Sequence, residues 1–180
     1  GSVGPAIRGT EVIVRREDRS LAEPGEIGDI WVKSPTLFNG YCRNEAATAD
    51  ALDDGWLLTG DMGATDHDGF LSIMDRRKDM VISGGINIYP REIEEVLLRH
   101  GSVAEAAVVG VPDEKWGECL AAVIVARPGY EVTADEIEAH CRQFLGGYKI
   151  PRRITFEDEL IRNPAGKVMK RTIKAQLSST

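Results

Sequence analysis

The sequence predicts an α+β protein in two parts, a small β-rich segment followed by a compact α+β domain. Two observations carry this expectation. Up to about residue 75, β-branched and aromatic residues come in short runs between Gly, Pro and Asp turns; after Asp79, strand-length apolar runs alternate with helical stripes. With 180 residues, 42% of them hydrophobic, the chain can bury one good core or two modest ones. The division is placed so that residues 1–77 form the first part and 78–180 the second.

In the first part, residues 12–14, 29–33, 56–58 and 70–74 read as strands of a small barrel or sheet, and Asp66-His67-Asp68-Gly69 has the residues of a tight hairpin turn. Residues 44–52, rich in alanine and opened by Asn44, predict a short helix between strands. In the second part, Pro90 suits the first turn of a helix whose face carries Ile93, Val96, Leu97 and His100 at i, i+3, i+4 and i+7. Residues 106–111 and 120–126 are continuous apolar runs of strand length, the pattern of strands buried on both faces. Thr133-Ala134-Asp135-Glu136 is a capping box, with Ile137, Cys141, Phe144 and Leu145 as the stripe behind it. Ile154 and Phe156 mark one more strand, and Met169, Ile173 and Leu177 a last amphipathic helix.

Composition excludes several classes. No apolar run approaches the ~20 residues of a membrane span, and no signal-peptide pattern opens the chain. Cys42, Cys119 and Cys141 are odd in number, far apart and without metal-ligand spacing, so a reducing cytoplasmic setting is expected, with no disulfide framework and no zinc site. The net charge of −7 is unevenly spread: residues 79–148 hold five Lys and Arg against twelve Asp and Glu, whereas residues 149–180 hold eight against three. That basic end can face phosphates, but no nucleic-acid partner is expected. The three histidines do not converge with any acid or nucleophile, and none is assigned a catalytic role.

Four segments carry chemistry. In Thr59-Gly60-Asp61 a single ionised carboxylate can accept from both vicinal hydroxyls of a ribose, and the glycine lets the backbone come close. Asp75-Arg76-Arg77-Lys78-Asp79 is a charge-dense junction between the two parts, suited to absorbing backbone rotation. The paired glycines of Ser83-Gly84-Gly85-Ile86-Asn87-Ile88-Tyr89-Pro90 leave room for a narrow ligand just ahead of a helix. Asn163-Pro164-Ala165-Gly166-Lys167 presents one lysine on a turn. It lacks the glycine frame and the Ser or Thr of a P-loop, but a mobile ammonium there can meet charge building on a transferring phosphoryl group.

Taken in order, these segments resemble the C-terminal third of an acyl-CoA synthetase, a fatty-acid or carboxylate–CoA ligase of the adenylate-forming superfamily. Gly25-Glu26-Ile27-Gly28-Asp29-Ile30 and Phe38-Asn39-Gly40-Tyr41 add weaker matches, so the likeness runs from about Gly9 to Leu177. The resemblance implies a parent enzyme that joins a carboxylic acid to CoA through an acyl-adenylate, consuming ATP with Mg2+ and releasing AMP and pyrophosphate. It implies Lys167 as the catalytic residue of adenylation, Asp61 as ribose ligand, Arg76 on the ribose or α-phosphate side, and Lys78 as hinge. It implies Gly84 and Gly85 along the pantetheine path, and Trp116, Tyr148, Lys149 and Arg152 at the nucleotide end of CoA; no residue is assigned to a metal. Ile86 stands where many relatives carry Glu, and Ile150 where a basic residue is usual.

The segments of the large N-terminal domain, a Ser/Thr/Gly-rich phosphate loop and a Tyr-Gly-x-Thr-Glu stretch, are not in this sequence. The chain is therefore expected to be inactive alone and to need that missing domain as partner. Two other readings stay open: adenylation followed by transfer to a carrier protein or luciferase-like oxidation, and a noncatalytic domain whose Lys167 is the target of a lysine acetyltransferase.

Overall fold

The computed structural model describes residues 2–178. They divide into two compact units, Gly1–Lys78 and Asp79–Thr180.

The first unit is an antiparallel sheet of β1 (Glu11–Arg15), β2 (Gly28–Lys33), β3 (Leu52–Asp53), β4 (Trp56–Thr65) and β5 (Leu71–Arg76), with α1 (Glu45–Ala51) before β3. Its strand order is β1-β2-β4-β3, and β5 pairs with the far end of β4. Asn44 caps α1 by accepting from the Ala47 N–H at 3.1 Å, as its position before the alanine run predicts. The β4–β5 hairpin turns at Asp66–Gly69, where Asp66 Oδ1 accepts from the Asp68 and Phe70 amides and Gly69 takes a φ of +79°. β4 is longer than the apolar run 56–58, so Thr59-Gly60-Asp61 lies within a strand and Asp61 sits directly opposite Arg76. Val14, Ile30, Trp31, Met62 and Ala64 are the buried apolar residues of this sheet.

The second unit is built on a ribbon of β8 (Val103–Asp113) and β9 (Gly117–Ala126), after the short hairpin β6 (Val81–Ser83) and β7 (Ile86–Ile88) and the helix α2 (Pro90–Leu97). It continues with α3 (Ala134–Phe144), β10 (Arg153–Phe156) and α4 (Lys170–Ser178). β10 joins β9 in parallel, and β6 touches the start of β9 through the Ser83–Gly117 pair.

Strand alternation explains the continuous apolar runs. Val108, Leu120, Ala122 and Ile124 point to a core closed by Ile93 and Leu97 of α2 and Ile137 and Cys141 of α3. Their neighbours Val109, Val111, Ala121 and Val123 form the other core, closed by Leu160 and by Ile173 of α4. Every one of these side chains is at most 5% exposed, so the ribbon is a rigid spine for whatever its ends carry.

Local signals set the helix starts. Pro90 occupies the first turn of α2, and the Thr133 hydroxyl and Glu136 carboxylate make the reciprocal capping box of α3. Three expected core residues lie outside it. His100 falls beyond the end of α2, while Phe144, the last residue of α3, and Met169, just before α4, are exposed. Lys170 and Lys174 are ion-paired with Glu94 at 2.7 Å and Glu118 at 2.6 Å. Lys170 also opens α4, the end where a cation opposes the dipole, so the pairing accounts for it.

Candidate functional site

In the first unit, Thr59, Gly60, Asp61, Arg76, Arg77 and Lys78 line a cleft of about 470 Å³. β-pairing places Asp61 against Arg76, whose Nε lies 3.5 Å from the carboxylate. The Thr59 hydroxyl donates to the Ile30 carbonyl at 2.9 Å and accepts from the Asp61 amide at 3.1 Å, which fixes the backbone presenting the carboxylate. Gly60 allows this path with a φ of +77°. Both Asp61 and Arg76 keep part of their surface open, so an incoming hydroxyl can donate to the carboxylate and a phosphate oxygen can accept from the guanidinium.

One residue of the cleft is anchored more firmly than the motif alone indicates. Arg77 forms a short ion pair with Asp29 of β2, whose side chain is 7% exposed, and a looser one of 3.6 Å with Glu17. Burial pushes the Asp29 carboxyl above its ordinary range, and the Arg77 guanidinium opposes that shift. Asp29 Oδ1 is buried without a hydrogen-bond partner among the described residues, so Arg77 is what compensates this carboxylate. A lone acid in the apolar run Ile30-Trp31-Val32 is the sequence signal that such a partner exists. Next in the chain, Lys78 is exposed within a single 3-10 turn, Arg77–Asp79.

In the second unit, Gly84 and Gly85 form the two-residue turn of the β6–β7 hairpin, with φ of +57° and +80° as a type I′ turn requires. The two glycines differ in surroundings. A Cβ on Gly84 would lie 2.7 Å from the Trp116 ring, whereas one on Gly85 meets nothing within 4 Å. The open path expected of both glycines thus exists at Gly85, and Trp116 occupies the space beside Gly84. Trp116 carries Lys115 at 4.7 Å and Arg152 at 5.6 Å over its ring. Tyr148 is exposed, and the neighbouring Lys149 ammonium, 5.6 Å from that ring, is paired with Glu92 at 2.6 Å.

The Lys167 turn is stapled by Asn163. Its side-chain oxygen accepts from the Ala165 amide at 3.1 Å and the Lys167 amide at 2.9 Å, and its own amide donates to the Lys167 carbonyl at 2.9 Å. Gly166 closes the turn with a φ of +79°. Lys167 is exposed and enters no ion pair among the described residues, in contrast to Lys149, Lys170 and Lys174.

The two motifs sit at opposite ends of the β8–β9 ribbon. Gly84 and Trp116 lie beside the Asp113–Gly117 end, and the Lys167 turn is tied through Arg162 to Glu105 near the other. Eight residue steps of strand lead from Glu105 to Asp113, about 27 Å at ~3.4 Å per step. No group of three His, Cys, Asp or Glu arranged to hold a metal ion is found among the described residues, nor a helix long and apolar enough to cross a membrane.

Residues 92–167 match the model of the AMP-binding enzyme C-terminal domain. The whole chain is 46% identical over 180 residues to the long-chain-fatty-acid–CoA ligase FadD13 of Mycobacterium tuberculosis, covering 35% of that protein. Among solved structures, o-succinylbenzoate CoA synthetase from Bacillus subtilis, in complex with its acyl-adenylate OSB-AMP, superposes with a TM-score of 0.92 at 41% identity, over 97% of this chain and 35% of that one. The amide bond synthetase McbA from Marinactinospora thermotolerans gives 0.92 at 38%, over 98% of this chain and 36% of that one. The chain spans about a third of the length of the relatives it matches. It belongs, as a C-terminal part, to the adenylate-forming superfamily that includes the acyl-CoA ligases.

Proposed function

We propose that the protein this chain belongs to is an AMP-forming acid–CoA ligase, which converts a carboxylic acid, ATP and CoA into acyl-CoA, AMP and pyrophosphate. The observation that carries the reading is Lys167: an exposed ammonium, unpaired among the described residues, on a turn whose backbone is fixed by Asn163. When a carboxylate attacks the α-phosphorus, charge gathers on the phosphoryl oxygens and the departing pyrophosphate. A cation without an ion-pair partner has no such pair to break in order to meet it. Asp61 then holds the ribose, Arg76 faces the ribose or α-phosphate, and Mg2+ enters with ATP.

The placement of the Lys167 turn and the Gly84–Gly85 hairpin by opposite ends of the ribbon, where Glu105 and Asp113 stand ~27 Å apart along β8, supports a two-step use of the second unit. A single pose cannot bring both to one reaction centre, so the unit turns between adenylation and thioester formation, with Lys78 as the pivot after the anchored Arg77. In the second pose Gly85 borders the pantetheine, while Trp116, Tyr148, Lys149 and Arg152 receive the nucleotide end of CoA. Phosphate contact there falls mainly to Arg152, since Lys149 is already neutralised by Glu92. Fatty acids are one candidate substrate class, given the FadD13 match, and the free thiols support a cytoplasmic setting. The exposure of Lys167 also leaves it open to a lysine acetyltransferase.

The test is acid-dependent exchange of pyrophosphate into ATP by the full-length protein, followed by thioester formation on adding CoA. Exchange without any thioester would favour the carrier-protein or luciferase-like readings, and neither activity with any carboxylic acid would overturn the assignment. This chain alone is expected to show no exchange, because the oriented binding of both substrates, worth up to ~7–11 kcal/mol, needs residues it does not contain.

A further inference from the structure

We propose that Arg162 is a positioning residue for Lys167, acting through a fork that joins the lysine's turn to the central ribbon. The proposal rests on the reading of Lys167 as the adenylation residue. The Asn163 staple makes the turn rigid within itself, and at its base Ile161 and Val168 pack on the core and the Met169 amide donates to the Ile161 carbonyl at 2.8 Å, but Pro164, Ala165, Gly166 and Lys167 at its tip are all exposed. Arg162 supplies a side-chain tie for that tip. Its Nη1 donates to the Gly166 carbonyl at 2.7 Å, and its Nη2 forms a short ion pair with the Glu105 carboxylate, 57 residues earlier in sequence.

Glu105 is in register with Val125 on β9, and the ribbon behind it is buried on both faces. The residue preceding Lys167 is thereby tied to a strand of the central ribbon. A planar guanidinium can serve a carbonyl and a carboxylate at once along fixed directions, whereas an ammonium presents only a point charge. The need for such a tie comes from the reaction: a lysine side chain is flexible, so the backbone position sets its reach, and a misplacement of about 1 Å costs on the order of a hundredfold in rate.

The side chains of Arg162 and Glu105 are 41% and 37% exposed, so the pair contributes little to folding and can be removed with the unit intact. That separates positioning from stability. In this chain, Arg162→Met should raise hydrogen exchange at the Gly166 and Lys167 amides by about tenfold, with exchange at Val108 and Ala122 in the ribbon unchanged. The exchanged pair Arg162→Glu with Glu105→Arg restores the ion pair but puts no donor beside the Gly166 carbonyl, and should leave the turn as fast as in Arg162→Met. Turn exchange within twofold of the parent chain in Arg162→Met, or full protection in the exchanged pair, would overturn the fork.

The functional arm uses the full-length enzyme. Arg162→Met should slow single-turnover adenylation by about 10- to 100-fold while leaving thioester formation from supplied acyl-adenylate within twofold. Equal slowing of both steps would overturn the positioning role. If Lys167→Ala itself leaves adenylation intact, the functional reading fails and the positioning role with it, while the exchange result still reports whether the fork exists.

Discussion

Replacing Arg77 by Met tests the electrostatic logic of the junction. Asp29 is buried, its Oδ1 has no hydrogen-bond partner among the described residues, and Arg77 supplies the compensating charge on Oδ2. Breaking a fully buried pair costs ~3–5 kcal/mol and an exposed one ~0–1 kcal/mol. With the Asp29 side chain 7% exposed and the Arg77 side chain 42% exposed, the loss falls between, at about 2 kcal/mol at pH 7. The sign of its pH dependence is fixed. Burial already raises the Asp29 pKa and Arg77 opposes that rise, so the substitution raises it further. A carboxyl whose folded pKa exceeds its unfolded one adds stability below the unfolded value, and that stability is lost as pH climbs through the folded value. The penalty of Arg77→Met should therefore be largest at neutral pH and shrink toward the ordinary carboxylate range. Urea unfolding followed by the fluorescence of Trp31 and Trp56, at pH 7 and pH 4.5, measures it. Asp29→Asn in the Arg77→Met background should recover most of the loss at pH 7. A penalty below ~0.5 kcal/mol at pH 7, or one independent of pH, would refute the reasoning.

The other expectations concern the hairpin, the α3 cap and the pivot. Gly84→Ala must both adopt a left-handed φ and displace the Trp116 ring, so it should cost more than Gly85→Ala, which bears only the backbone strain of about 1–2 kcal/mol; thermal unfolding of the two variants gives the order. Thr133→Ala should destabilise the second unit by about 1 kcal/mol through loss of the α3 cap. The backbone and hydroxyl of Thr133 hold the Glu136 carboxyl below its ordinary range, so its contribution is present above the unfolded pKa and lost as pH falls through the folded one; acid titration of Thr133→Ala should show a smaller loss. In the full-length enzyme, Lys78→Pro should restrict φ at the proposed pivot and impair thioester formation more than adenylation, with equal losses arguing for a purely structural role.

What was legible in the sequence is what is local. Asn44, Pro90 and the Thr133–Glu136 box mark helix starts because a cap involves residues within one turn, and each sits where the structure begins a helix. The buried ribbon was legible because two unbroken apolar runs admit few other fates. The β6–β7 hairpin shows in the sequence only as its paired glycines, since three-residue strands carry no period to detect. Ion pairs spanning distant sequence were not legible: Asp29 with Arg77, Glu105 with Arg162 and Glu118 with Lys174 are separated by 48, 57 and 56 residues, and charge alone does not name a partner. Lys170 and Lys174 are held by Glu94 and Glu118, whereas Lys167 enters no ion pair among the described residues, so the difference between a structural and a chemical lysine becomes visible only in three dimensions.

The central claim is that Lys167 serves adenylation alone while the Gly84–Gly85 hairpin, at the other end of the ribbon, serves thioester formation. Single-turnover assays of both half-reactions in full-length Lys167→Ala test it most directly. Adenylation should fall by the ~2.7–4 kcal/mol typical of a deleted transition-state donor, roughly a hundred- to a thousandfold, while supplied acyl-adenylate and CoA still give thioester at the parent rate. Gly85→Leu should show the reverse. If Lys167→Ala is slowed as much with preformed acyl-adenylate as with ATP and acid, the two ends of the ribbon do not divide the reaction between them, and the account is wrong.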